Sequence, residues 1–132
     1  MTGADDRAAI ATVRDQWVAA VAARDVDAIR SLLTDDYEVW AHGTPPMRGA
    51  DAAAAMGAAL GKFEIAQSFD PIETVVSGDW AFERGIERMV VTSRDGSAPA
   101  RDVSQRALLI LHRGADGRWR YARGMTNGLP PA

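Results

Sequence analysis

The sequence predicts an α+β fold in which helices pack on one face of a curved antiparallel sheet. Two observations carry this expectation. In the N-terminal half, apolar residues such as Ile10, Val13, Trp17, Ala20 and Val21 recur at helical spacing. Beyond Phe63 the pattern changes to long β-forming runs separated by the turn signals Ser77-Gly78-Asp79, Arg94-Asp95-Gly96-Ser97 and Gly114-Ala115-Asp116-Gly117. The predicted order is α-α-β-α-β-β-β-β.

The first helix covers about residues 5–23, with Asp5 and Asp6 placed to meet the positive end of its dipole. Asp25 is the expected N-cap of a short second helix. Its buried face is Val26, Ile29, Leu32 and Leu33, and it ends near Thr34-Asp35-Asp36. Tyr37 to His42 reads as a short strand rich in β-formers. Gly43-Thr44-Pro45-Pro46 must be a turn or loop, because adjacent prolines suit neither helix nor central strand. A third helix runs from about Ala50 to Leu60 on strong alanine propensity. Phe63 to Val76 is expected to be one strand bent or bulged at Asp70-Pro71. Trp80 to Ser93, Arg101 to Arg113 and Arg118 to Thr126 complete the set, with a fraying tail from Asn127 to Ala132.

Composition excludes several function classes. The chain has 132 residues, 47% hydrophobic and 25% charged, as one globular domain would have. Its net charge of -3 argues against a nucleic-acid binder, which would carry a basic face. There is no cysteine, and His42 and His112 stand far apart without a carboxylate motif, so no metal site is expected. No phosphate-binding glycine loop or nucleophile elbow occurs, and no cofactor is expected. The N-terminus lacks a signal-peptide pattern and no apolar run approaches a membrane span, so the expectation is a cytoplasmic protein without membrane contact. Arginine is strongly preferred over lysine, with Lys62 alone of its kind, which with the alanine excess suggests a GC-rich bacterial source.

Several segments carry a resemblance to a known superfamily. They are Trp17-Val18-Ala19-Ala20 followed by Arg24-Asp25-Val26-Asp27-Ala28-Ile29; Leu32-Leu33-Thr34-Asp35-Asp36-Tyr37; Met47-Arg48-Gly49; Gly78-Asp79-Trp80-Ala81; and Asp116-Gly117-Arg118-Trp119. In this order they resemble the nuclear transport factor 2-like superfamily, nearest its SnoaL-like and ketosteroid-isomerase-like branch, over almost the whole chain. The resemblance implies a cone-shaped, cystatin-like roll with the three helices on the concave side of the sheet. It also implies an internal pocket and pairing of two copies through the exposed sheet face. It does not fix an activity, since this scaffold hosts isomerases, cyclases, hydratases, epoxide hydrolases and non-catalytic modules.

The isomerases of this fold use an Asp at the end of the first strand as proton shuttle. A Tyr on the first helix and a protonated Asp on a later strand stabilise the oxyanion. Those positions fall at Ala41, Trp17 and near Leu109 here, and none of these side chains can do that work. SnoaL-type cyclases use a pocket Asp with a nearby His, which makes His42, one residue past the vacated base position, the candidate acid/base. The competing reading is a strand-end His bonded to backbone; His112 reads as a surface residue.

Strand alternation then divides Trp80 to Val91 into two faces. By the resemblance, Trp80, Phe82, Arg84, Ile86, Arg88 and Val90 face the concave side. Arg84 and Arg88 would then meet Gln105 and suit an anionic ligand. The competing reading is a solvated sheet surface carrying alternating Glu and Arg, since a one-residue bulge reverses every face. Trp17, Tyr37 and Met56 are expected as core or pocket wall, with Tyr37 and Trp40 on opposite faces. Two functions therefore stand. One is a pocket for a small apolar organic ligand with one anionic or carbonyl group, with a cyclase- or isomerase-like activity left open. The other is a non-catalytic homodimerisation or binding module, whose exposed face would carry Met89, Val91, Leu108 and Ile110.

Overall fold

A computed structural model describes residues 3–130. The N-terminal half forms α1 (Gly3–Ala23), α2 (Val26–Ser31), β1 (Leu33–Trp40), β2 (Met47–Arg48) and α3 (Gly49–Lys62). The C-terminal half is β3 (Phe63–Ser77), β4 (Trp80–Ser93), β5 (Arg101–Arg113) and β6 (Trp119–Gly128). The six strands make one mixed sheet in the order β2-β1-β6-β5-β4-β3, with the helices over its concave face. No helix among the described residues is long and apolar enough to cross a membrane.

The helical stripe of α1 buries Ile10, Val13, Ala20 and Val21. Asp6 is also buried at its first turn. It accepts from Arg113 Nη1 at 2.8 Å, and the same guanidinium binds Asp79 and lies 5.1 Å from the Trp119 ring centroid. This ties the start of α1 to the end of β5. The side chain of Asp25 caps α2 by accepting from Ala28 N at 3.0 Å, as its residue type predicts. Ile10, Val13, Leu32, Leu33, Tyr37, Leu111, Trp119 and Tyr121 then share one core cluster, and Ala20, Val21, Ile29 and Leu60 a second.

The structure departs from the sequence reading at several points. α2 stops at Ser31, and Leu33, expected on a helix, begins β1. β1 runs parallel to β6, secured where Tyr121 N donates to Leu32 O at 2.8 Å, so the sheet is not antiparallel throughout. β6 continues through Asn127 and Gly128, which pair with Arg106 and Gln105, whereas fraying was expected from Asn127. The end of that tail, Pro131 and Ala132, lies outside the described residues.

The predicted irregularity at Asp70-Pro71 is a register shift between Pro71 and Glu73 against β4. It lies beside Gly85, the β4 residue paired with Pro71. A Cβ there would stand 2.2 Å from the Asp70 carbonyl oxygen and 2.9 Å from Phe69 Cζ, so the bent strands close only over a glycine.

The faces of β4 are the reverse of those expected. Ala81, Glu83 and Gly85 are buried toward the helices, and Glu87 and Met89 continue that face. Trp80, Arg84 and Val90 are exposed on the other. Met89 and Val91, expected on an exposed apolar face, therefore lie on the concave one, while Leu108 stays on the outer face as expected. Because the side-chain period is two, one wrong register choice moves the whole set together.

Substituting Gly85→Ala forces a methyl against backbone. The expected loss is about 1–3 kcal/mol of unfolding free energy. It should appear as a lower urea midpoint with an unchanged slope. An unchanged midpoint would show that the strands can open around a methyl and that the close approach is not a constraint.

Candidate functional site

Between the concave sheet face and helices α1 and α3 lies a cavity of about 330 Å³. Its roof is small. α3 contributes Ala52, Ala53, Ala55, Met56 and Ala59, whose short side chains keep the helix close without filling the space beneath it. Trp17 and Val18 of α1 close one side, and the sheet supplies Tyr37, Val39, Ile65, Phe69, Met89, Leu109 and Tyr121. The wall is overwhelmingly apolar; its charged members are Arg14 and Glu87.

These two charges are held very differently. Arg14 Nε and Nη2 donate to the two oxygens of Glu83 at 3.0 and 2.6 Å, and Thr74 Oγ1 donates to the same carboxylate at 2.6 Å. Glu83 is fully buried, and the bidentate pair neutralises both partners. Among the described residues, no cation pairs with Glu87. Its Oε1 accepts from Gln67 Nε2 at 2.8 Å, and Gln67 Oε1 accepts from Trp17 Nε1 at 3.2 Å. An indole N–H can only donate, so Trp17 fixes the amide of Gln67 with its NH₂ toward Glu87. Burial raises the pKa of Glu87 above the ordinary carboxylate value, and a hydrogen bond from Gln105 opposes that rise. Gln105 is the residue directly opposite Glu87 on β5.

Two phenols and the Thr126 hydroxyl complete the polar inventory. Burial, then the nearby Glu87, pushes Tyr37 up to about 12. Burial likewise raises Tyr121, so both remain protonated donors. Tyr121 packs edge-on against Trp17, with ring centroids 5.7 Å apart at 79°. The Tyr37 hydroxyl reaches into space left by Gly124, where a Cβ would stand 3.2 Å from it.

Of the residues named from sequence, Trp17, Tyr37, Met56 and Gln105 line this cavity together. Ala41 and Leu109, the vacated isomerase positions, line it beside Trp17. Arg84 and Arg88 do not. Both lie on the outer face with side chains more than half exposed, bonded across the strand to Glu73 at 2.6 Å and Asp70 at 3.3 Å. His42 is corrected as well. Ala41 lines the cavity, and His42, in the turn that follows β1, does not. His42 is exposed, with Nδ1 accepting from Gly128 N at 3.1 Å and its own N–H donating to Thr126 Oγ1 at 3.2 Å. That is the strand-end reading. His112 stacks on Trp80 at 4.4 Å, again away from the cavity.

The sequence reading missed Gln67, Phe69, Glu87 and Tyr121. A usable signal was present in β5, where Ala107, Leu109 and Leu111 alternate with Arg106, Leu108 and His112. That alternation puts Gln105 on the inner face, and the hairpin register then places it opposite Glu87 and not an arginine.

Known proteins share this architecture. A conserved protein from Planctomyces limnophilus superposes with a TM-score of 0.88 at 28% identity, covering 95% of this chain and 98% of that one. A ketosteroid isomerase-like protein from Erwinia carotovora atroseptica gives 0.81 at 24% identity, covering 94% and 96%. A nuclear transport factor 2-like superfamily protein from Salmonella enterica gives 0.75 at 15%, covering 93% and 95%. No curated protein matches the sequence. The SnoaL-like domain family matches residues 15–122, most of the chain, which shows that the protein belongs to that family.

Proposed function

We propose that this protein binds a small, largely apolar organic molecule in the cavity under α3, with Glu87 as its principal polar contact. The observation that carries this reading is a cavity of about 330 Å³ with an apolar wall and one carboxyl that no cation offsets among the described residues. Ligand sites are commonly built this way, with few polar groups set in an apolar cleft. The likeness to a ketosteroid isomerase-like protein supports a small-molecule site. Its catalytic reading does not transfer, because Ala41, Trp17 and Leu109 cannot exchange the protons that chemistry requires. Glu87 is the wall group equipped for proton transfer, since burial moves its pKa upward from 4.5.

The test is a thermal-shift screen with neutral aromatic alcohols, ketones and steroids, run on the native protein and on Ala59→Phe, which fills the cavity roof. A ligand at about 100 times its dissociation constant adds about 2.7 kcal/mol of stability. That is several degrees in a domain of this size. The native protein should shift and Ala59→Phe should not. Equal shifts in both would place binding elsewhere.

The raised pKa of Glu87 also makes a stability prediction. A carboxyl that holds its proton more tightly folded than unfolded stabilises the fold at low pH, and that contribution is lost as pH rises through the folded value. Native stability relative to Glu87→Gln should therefore fall as pH rises from the ordinary value of 4.5 upward. Urea titrations of both proteins between about pH 4 and pH 8 measure the difference. A difference that grows with pH would overturn the burial argument.

A second reading, self-association, rests on the opposite face. Leu108 pairs with Met125 and Met125 with Trp40, so three side chains 40–51% exposed sit side by side across β5, β6 and β1. An apolar row of this kind suits a second copy of the chain. Sedimentation should show a dimer that Leu108→Glu dissociates; a native monomer at high concentration would remove this reading. The two readings use opposite faces and do not compete.

A further inference from the structure

We infer that the cavity selects a ligand bearing a protonated amine, which pairs with the Glu87 carboxylate; this rests on the cavity being a ligand site. The argument starts from charge. Expectation from sequence placed two arginines here and hence an anion, but both lie on the outer face, bonded to Glu73 and Asp70. The cation that does reach the wall, Arg14, is bidentate to buried Glu83. An anionic ligand would meet Glu87 and no unmatched positive charge.

The groups around Glu87 are arranged for its ionised form. Gln67 presents an amide N–H to Oε1 because Trp17 holds the amide carbonyl on the other side. Gln105 supplies a second hydrogen bond that favours the carboxylate. A carboxyl meant to stay neutral needs an acceptor for its own proton, yet its two amide neighbours act as donors. The phenols of Tyr37 on β1 and Tyr121 on β6, held protonated by burial, can each donate or accept. α3 offers only alanines and Met56. The surroundings of Glu87 thus hold two amide donors for an anion and an apolar wall that penalises it. A bound ammonium resolves that conflict, by charge-assisted hydrogen bonding to the carboxylate. The rings of Trp17, Tyr37, Phe69 and Tyr121 on the same wall supply faces and edges for the rest of the ligand, and a cation over a ring face gains further.

Calorimetry with three probes of one shape tests this: 1-naphthylmethylamine, 1-naphthalenemethanol and 1-naphthoate. Near neutral pH the amine should bind about tenfold tighter than the alcohol, and the naphthoate most weakly. Glu87→Gln should erase the amine's advantage over the alcohol. In the native protein, lowering the pH to about 5 should weaken the amine and leave the alcohol unchanged, since only the amine needs an ionised Glu87. That arm holds even if the variant folds poorly. The inference is overturned if alcohol or naphthoate binds the native protein as well as the amine, or if Glu87→Gln leaves the amine's affinity unchanged. Alcohol binding that Ala59→Phe abolishes, without any amine preference, would retain the pocket and discard the charge selection. No binding by any probe would discard both.

Discussion

The buried pair between Arg14 and Glu83 sets the geometry on which the rest of this molecule depends. A carboxylate with no solvent contact is tolerated only when its lone pairs are met by strong donors, and here two guanidinium nitrogens and the Thr74 hydroxyl do so. The three partners come from α1, β3 and β4. They therefore fix both the distance of α1 from the sheet and its rotation about its own axis. Trp17, three residues on, lies on the same helix face. The rotation that satisfies Arg14 delivers the indole to Gln67, and Gln67 to Glu87. Glu83 and Glu87 are two rungs of one strand face, roughly 13 Å apart at strand rise. The first locks the helix, and the second uses the position so obtained.

The sheet separates its charges by cost. On the outer face, Arg84 and Arg88 pair with Glu73 and Asp70 in water, where such bridges contribute little and removing one partner is cheap. On the inner face every ionisable group must be matched or held, because an unmet charge in an apolar wall is expensive. Arginines placed inside each need a buried partner, as Arg14 has in Glu83 and Arg113 in Asp6. The same division leaves the outer face free to carry Trp40, Leu108 and Met125 as an apolar row, since that face has no helix over it.

The helices and hairpins were legible in the sequence because their signals are local. The Ile10 to Val21 stripe, the Asp25 cap and the turn glycines each act within a few residues, and each appears where expected. The strand bend at Pro71 was legible for the same reason. The faces of β4 were not. Both of its faces mix apolar and charged residues, so alternation gives two sets without saying which is inside. The decision lies in contacts from residues far away in sequence: Arg14 for Glu83, Gln67 for Glu87. Trp17, Tyr37 and Met56 were expected as core or pocket wall and Gln105 beside Arg84 and Arg88; all four line the cavity, Gln105 opposite Glu87 instead. His42 stands in the turn beyond β1, exposed and bonded to the distant Gly128, a placement that no local signal carries.

The cavity itself originates in α3. Most surface helices earn stability by burying large side chains, but α3 buries only Ala53 and Leu60 fully. Its alanine run is helical by intrinsic preference, so it does not need bulky anchors to stay folded. A helix that holds its shape without filling the space below can roof a void; Leu or Phe at Ala52, Ala55 or Ala59 would make an ordinary core. Such a void forgoes dispersion contacts that close packing would supply. In this protein the sacrifice coincides with the one wall carboxyl that lacks a cation and with two buried phenol donors. Packing and polarity thus leave the same region incomplete, and the proposed ligand, with an apolar body and one polar head, would complete both.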